Sequence, residues 1–383
     1  MQNHHFNILA KKIVEVFPKE DERIYYIPPK TDGPQQLLSR GKLPDKYRNW
    51  ITAQKKIGFS REKETDEQCD DGEQATNIAL LDEERYKNEA VQWLLNNFEP
   101  WDSVVKNFQK CQEFRLRDFQ SAPGNIQSIF ERWPVLMQPR GLELIDSDFT
   151  FQFGREGQIF VEWRQFAFNI FNLMQTEVKD KTALSLLSTL KLANIPDETR
   201  NLKLLMLLPS LIPSSCRLRS LKRPYTYWKP SIQNSLDTFI LHEKVNIKIV
   251  FTFYYYCVRQ KINRKILFQI QGNIENTIRD LKEKHRLYNL TFQPLIIVVG
   301  PNLDTINAIY VYIDSSVYKV TSILKAVDLC YKAFHIFHAH YPVICQQVWL
   351  LIQKGIYKQN TAWDKTIAGV NTILRCIQDV QEI

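Results

Sequence analysis

Gln293–Pro301, QPLIIVVGP, and Ala308–Val320, AIYVYIDSSVYKV, decide the fold. Both are runs of β-branched and aromatic residues bounded by Gly, Pro, Asn and Asp, and such runs read as strands. The short SVYKV after Asp314-Ser315 suits a hairpin partner. Helical spacing then returns in TSILKAVDLCYKAFHIFHAHYP and ICQQVWLLIQKGIY, and a last amphipathic helix is expected in WDKTIAGVNTILRCIQDVQ. A small β-sheet packed by helices makes the fold α+β, with a C-terminal α+β domain over residues 216–383.

Working back from that sheet, residues 83–215 read as a mainly helical domain of five or six members. RYKNEAVQWLLNNF and WDSVVKNFQKCQEFRLRDF carry apolar residues every three or four positions and are divided by Pro100. The helix in GNIQSIFERW is expected to end near Pro134. DSDF, at 146–149, reads as an N-cap ahead of the aromatic helix QIFVEWRQFAFNIFNLMQ. Further upstream, Glu62 to Glu84 holds ten acidic residues and one lysine, a block unable to build a core. The reading is therefore an acidic linker at 61–82, preceded by a basic N-terminal module at 1–60. The first 56 residues of that module carry eleven Lys/Arg against six Asp/Glu.

Composition narrows the function classes. The 44 % hydrophobic and 12 % aromatic content belongs to a folded chain, and 383 residues allow two or three domains. Twelve glycines argue against glycine-rich phosphate loops. Seven scattered cysteines with no CxxC spacing suit reduced thiols. The opening MQNHHFNILAKKIVEVF is amphipathic rather than a signal-peptide run, and no uncharged apolar stretch approaches the ~20 residues of a membrane span. A soluble intracellular protein is expected, cytoplasmic or nuclear, with no membrane partner.

No motif supplies a catalytic signature, and no cofactor or small-molecule substrate is implied. His335 and His338 share a helix face near Cys330, but His340 does not, and a structural role is the expectation for all three. Asp146 and Asp148 are expected to cap a helix. The thiols have no base beside them in sequence. The remaining candidate is basic. Lys203 to Lys229 contains six Lys/Arg and no acid. Within it Arg217, Arg219, Lys222, Arg223 and Lys229 stand among Tyr225, Tyr227 and Trp228, the residue types of phosphate contact and base stacking. Lys42, Lys46 and Arg48, in GKLPDKYRNW, have the same double reading as nucleic-acid contacts or solvated surface.

Several phrases together carry a resemblance. IVEVFPKEDERIYYIPP with GKLPDKYRNW, WPVLMQPRGLELIDSDF, LLPSLIPSS, DTFILH and SVYKVTSILKAVDLCYKAFHIFHAHYPVICQQVWLLIQKGIY occur in this order across residues 10–357. The chain resembles the body of the sterile alpha motif domain-containing protein 3-like family of animal proteins, without a sterile alpha motif segment. The resemblance implies no enzymatic activity and transfers no functional residue. It implies an intracellular interaction or regulatory protein, and a mobile-element origin is a further conjecture.

Against that pattern, Val245–Gln269, VNIKIVFTFYYYCVRQKINRKILFQ, is surplus: DTFILHEK would run almost directly into IQGNIENTIRDLKEKHRLYNLTFQP. Fifteen of its 25 residues are Asn, Ile, Lys, Phe or Tyr, all with AT-rich codons. Its length is divisible by three, and Phe268-Gln269 can be written as a pyrimidine tract closing in CAG. The segment reads as an intron translated in frame, expected to form a poorly packed excursion; a core strand is the rival reading. It carries five Lys/Arg and no acid, so without it the net charge falls from +8 to +3. Two functions stay in view: a non-enzymatic protein that binds another protein, and a nucleic-acid-associated nuclear protein acting through the two basic stretches.

Overall fold

The computed structural model describes residues 3–47, 81–244 and 265–379, apart from positions 19–20, 33–34, 38, 40, 45, 82, 122–123, 155–156, 193, 222–224, 291–293, 315 and 362. At 3–5, 30–32, 35–37, 265–275 and 378–379 it describes the backbone alone. All of the expected acidic linker except Leu81, and residues 245–264 of the surplus segment, lie outside the described residues.

The chain divides into two compact units, Met1–Glu73 and Gln74–Ile383. In the first, the helix Asn3–Val16 places Phe6 and Ala10 one turn apart, and both are buried with Tyr26. Asp21 caps the short helix Glu22–Tyr25 by accepting from the Arg23 amide at 2.9 Å. Strands β1 (Lys30–Asp32) and β2 (Gln35–Leu37) pair antiparallel behind it.

The second unit is α+β. Helices Glu89–Asn96, Trp101–Lys110, Gln112–Ser121, Ile126–Arg132, Gly141–Phe153, Gln158–Glu177, Lys181–Thr189 and Asp197–Leu211 come first. A two-stranded hairpin of β3 (Leu218–Arg219) and β4 (Tyr227–Trp228) follows. The main sheet has the order β5 (Ile240–Glu243), β6 (Leu295–Val299), β7 (Ala308–Ile313), β8 (Ser316–Val320). β6, β7 and β8 form the antiparallel meander that their β-branched runs predict. β5 pairs with β6 in parallel, so the chain must cross over between them. It does so through the helix Lys265–Leu287. That helix takes in residues 265–269, so the last turn's worth of the surplus segment is regular structure.

Side-chain alternation explains the layering. Ile296 and Val298 of β6 enter the main core with Val311 and Tyr318, while Leu295, Ile297 and Val299 point the other way. Ile278 and Leu281 of the crossover helix cover that second face. Both faces of β6 are thus dry, which accounts for its unbroken LIIVV. Against the first face lies the helix Ile323–Ile336, buried on nearly all sides. One continuous core runs from Ala90 through this helix to Ile377. This core draws on residues from both sides of position 215, where the sequence reading divides a helical from an α+β domain.

Charged residues inside this core are paired. Arg115 donates to the Asp148 carboxylate from Nε at 2.9 Å and Nη2 at 2.5 Å, and Gln112 Nε2 adds a third bond at 3.0 Å. Asp146 accepts from Lys325 at 2.5 Å and Lys332 at 2.8 Å. Lys332 also meets Asp328 at 2.7 Å, and the Tyr357 hydroxyl donates to Asp328 at 2.9 Å. Burial disfavours charge on Lys332, but Asp328 and Asp146 outweigh it and raise the lysine's pKa above the ordinary value. These partners correct the capping expectation for Asp146 and Asp148. Both lie within Gly141–Phe153, and Gly157, at φ 65°, caps the next helix. Sequence spacing alone hid those partners, because Lys325 and Lys332 are about 180 residues downstream.

Candidate interaction face

The basic stretch folds back on itself. Leu218 pairs with Trp228 and Arg219 with Tyr227 across β3 and β4. The turn side is fixed by Ser220, whose amide donates to the Thr226 carbonyl at 2.9 Å while its hydroxyl accepts from the Thr226 amide at 2.8 Å. This brings cations onto rings: Arg217 sits 4.8 Å from the centre of the Tyr227 ring and Arg219 3.7 Å from that of Tyr225. Trp228 has Lys284 at 4.5 Å and the Tyr288 ring at 4.9 Å.

Lys284, Arg286 and Tyr288 come from the end of the crossover helix and were no part of the sequence expectation. Their signal is the basic last turn Lys284-His285-Arg286, which also suits the negative end of a helix dipole. The two elements are tied by the Leu221 amide, which donates to the Leu287 carbonyl at 3.0 Å. The joint face carries Arg217, Arg219, Lys229, Lys284 and Arg286, and none of these forms an ion pair with a described carboxylate. Tyr227 is 59 % exposed and Arg217, Tyr225, Lys229 and Arg286 are also open to solvent.

Lys222, Arg223 and Arg48 lie outside the described residues. Lys42 and Lys46 belong to the first unit, where Lys42 Nζ is 5.4 Å from the centre of the Tyr25 ring. Lys203, which opens the basic stretch, is buried and donates to Asp304 at 2.6 Å and Thr189 at 3.2 Å.

The three histidines near Cys330 occupy different settings. His335 is buried, with Nε2 3.0 Å from the Tyr341 hydroxyl, and burial pushes its pKa down to about 4. His338 adopts φ 49° at the end of its helix and lines, with His340, a small cavity of about 250 Å³. Among the described residues no three His, Cys, Asp or Glu side chains converge as a metal site would require. No described helix is long and apolar enough to cross a membrane. No family model, curated protein or solved structure matches the chain.

Proposed function

We propose that the chain is a non-enzymatic protein-interaction module whose basic hairpin face receives an acidic segment of a protein partner. One observation carries this reading: the arginines of the hairpin lie over tyrosine rings instead of carboxylates, so their charge is held in place and still available. Opposite charge on a partner is the complement such a face selects. The same contacts weigh against base stacking, since Arg217, Arg219 and Lys284 each occupy a ring face that a nucleobase would use. Buried free thiols at Cys111, Cys330 and Cys345 support an intracellular setting. The resemblance to the sterile alpha motif domain-containing protein 3-like body points to the same kind of role.

The test is fluorescence anisotropy of the full chain with labelled decaglutamate and with single-stranded oligothymidine, across a salt series. Decaglutamate is expected to bind with a salt-dependent affinity that Arg217→Ala with Arg219→Ala removes. Tighter binding of the oligonucleotide, lost in the same double variant, would replace the protein partner with nucleic acid. No salt-dependent binding of either probe would remove the face from the function.

A further inference from the structure

Register gives the basic hairpin a period. Arg219 stands opposite Tyr227, and Leu218 opposite Trp228. Alternate residues of a strand share a side, so Arg217 and Arg219 rise from one side of the hairpin, about 7 Å apart along it, with Tyr225 and Tyr227 beside them. Leu218 and Trp228 take the other side, where Trp228 packs on the Tyr288 ring. Both arginines lean in one direction. Arg217 reaches Tyr227, the residue opposite Arg219, and Arg219 reaches by the same step to Tyr225. These are diagonal cross-strand contacts, and their repetition sets two guanidinium groups in equivalent positions, one strand period apart.

Among the described residues the hairpin is a sheet of two strands, so each strand has an outer edge. The Ser220 amide donates across it to the Thr226 carbonyl at 2.9 Å. Bonded and non-bonded pairs alternate in an antiparallel ladder, so the next pair, Arg219 and Tyr227, turns its amide and carbonyl groups outward. None of these groups bonds another described backbone group. An open edge pairs with an extended chain, and the side chains of such a chain repeat at the same period as the two arginines.

Resting on the acidic-partner reading above, we propose that the bound segment is an extended strand with an acidic residue at every second position. One carboxylate then meets Arg217, the next on the same side meets Arg219, and the intervening side chains turn away. Adjacent acids would point to opposite sides of such a strand, so spacing as well as charge sets the fit.

Two labelled twelve-residue peptides of identical composition test this with the full chain, by fluorescence anisotropy beside decaglutamate. One alternates glutamate and threonine; the other repeats Glu-Glu-Thr-Thr. The alternating peptide is expected to bind about threefold to fivefold more tightly, the scale of one additional exposed ion pair. Arg217→Ala and Arg219→Ala should each bring the two affinities together, because one guanidinium cannot measure a spacing. Arg217→Lys, which retains the charge, should keep the order of the two peptides. Equal affinities in the unmodified chain, a preference that survives both alanine substitutions, or binding of decaglutamate alone would overturn the spacing and leave the acidic-partner reading standing. Tighter binding of the Glu-Glu-Thr-Thr peptide, whose acids four apart line one side of a helix, would replace the extended segment with a helical one. Binding of neither peptide nor decaglutamate would overturn both readings.

Discussion

Arg115 and Arg219 are the same side chain in opposite settings. Arg115 is fully buried, fixed by two bonds to Asp148, with its guanidinium 3.2 Å from the centre of the Phe108 ring. Arg219 has the ring, that of Tyr225, and no carboxylate. In the first setting the charge is neutralised within the fold and the residue acts as a structural bolt. In the second the ring fixes the direction of the side chain and leaves its charge for an outside partner. The pairing, rather than the residue type or a local excess of lysine and arginine, separates architecture from recognition in this molecule.

The comparison breaks most visibly from the inside. Asp148→Ala leaves Arg115 buried without a counter-charge and should destabilise the second unit by about 3–5 kcal/mol, read by urea denaturation. Asp148→Ala with Arg115→Met should recover much of that loss; no recovery would mean that the pair's worth is packing rather than charge.

Next in size is a pH effect. His335 is held neutral, with a folded pKa of about 4 against an ordinary 6.5. Below 6.5 the unfolded chain binds a proton that the folded chain refuses, so this contribution is complete above 6.5 and is lost as pH falls toward 4. The loss is on the order of 3 kcal/mol. His335→Gln should flatten the stability profile between those two pH values, and an unchanged slope would assign the dependence to other groups.

The hairpin should behave in the contrary way. Arg217→Ala and Arg219→Ala each remove one cation–π contact, exposed at Arg217 and half-buried at Arg219, so each should cost within about 1 kcal/mol of stability. Their effect belongs in the salt dependence of binding. If either variant unfolds as Asp148→Ala does, the two settings are not distinct.

The smallest effect concerns chain length. Residues 245–269 lie in the chain between β5 and β6. Deleting them roughly halves the crossover, a change worth about 0.6 kcal/mol in closure entropy. A melting temperature nearly that of the full chain is expected, with transcript sequencing across these codons to establish whether the mature message carries them. A large destabilisation would give the segment a core role.

Legibility followed the length of each signal. β6, β7 and β8 were readable because each is five or six residues of β-branched and aromatic type. β5 was not, because Ile240–Glu243 follows a helix without a break and adds only four residues. The main core was hidden for another reason: its joints are long-range. The Tyr318 hydroxyl donates to the Leu136 carbonyl, and Glu198 accepts from the Ile323 amide at the start of the central helix. No local pattern announces such bonds. At the candidate face, Arg217, Arg219, Tyr225, Tyr227, Trp228 and Lys229 were legible as composition. The ring pairings, and Lys284 arriving from another element, needed the fold.

The parallel placement of β5 also sets an order of events. β6, β7 and β8 pair through short turns, whereas the β5–β6 pair closes only across a long crossover, so contact order predicts that it forms last. The late-arriving strand carries His242 and leads into Lys244, and the helix that delivers it carries Lys284 and Arg286. The basic face and the β5 edge of the sheet therefore depend on one crossover, and a variant that loses the β5–β6 pairing is expected to lose both together.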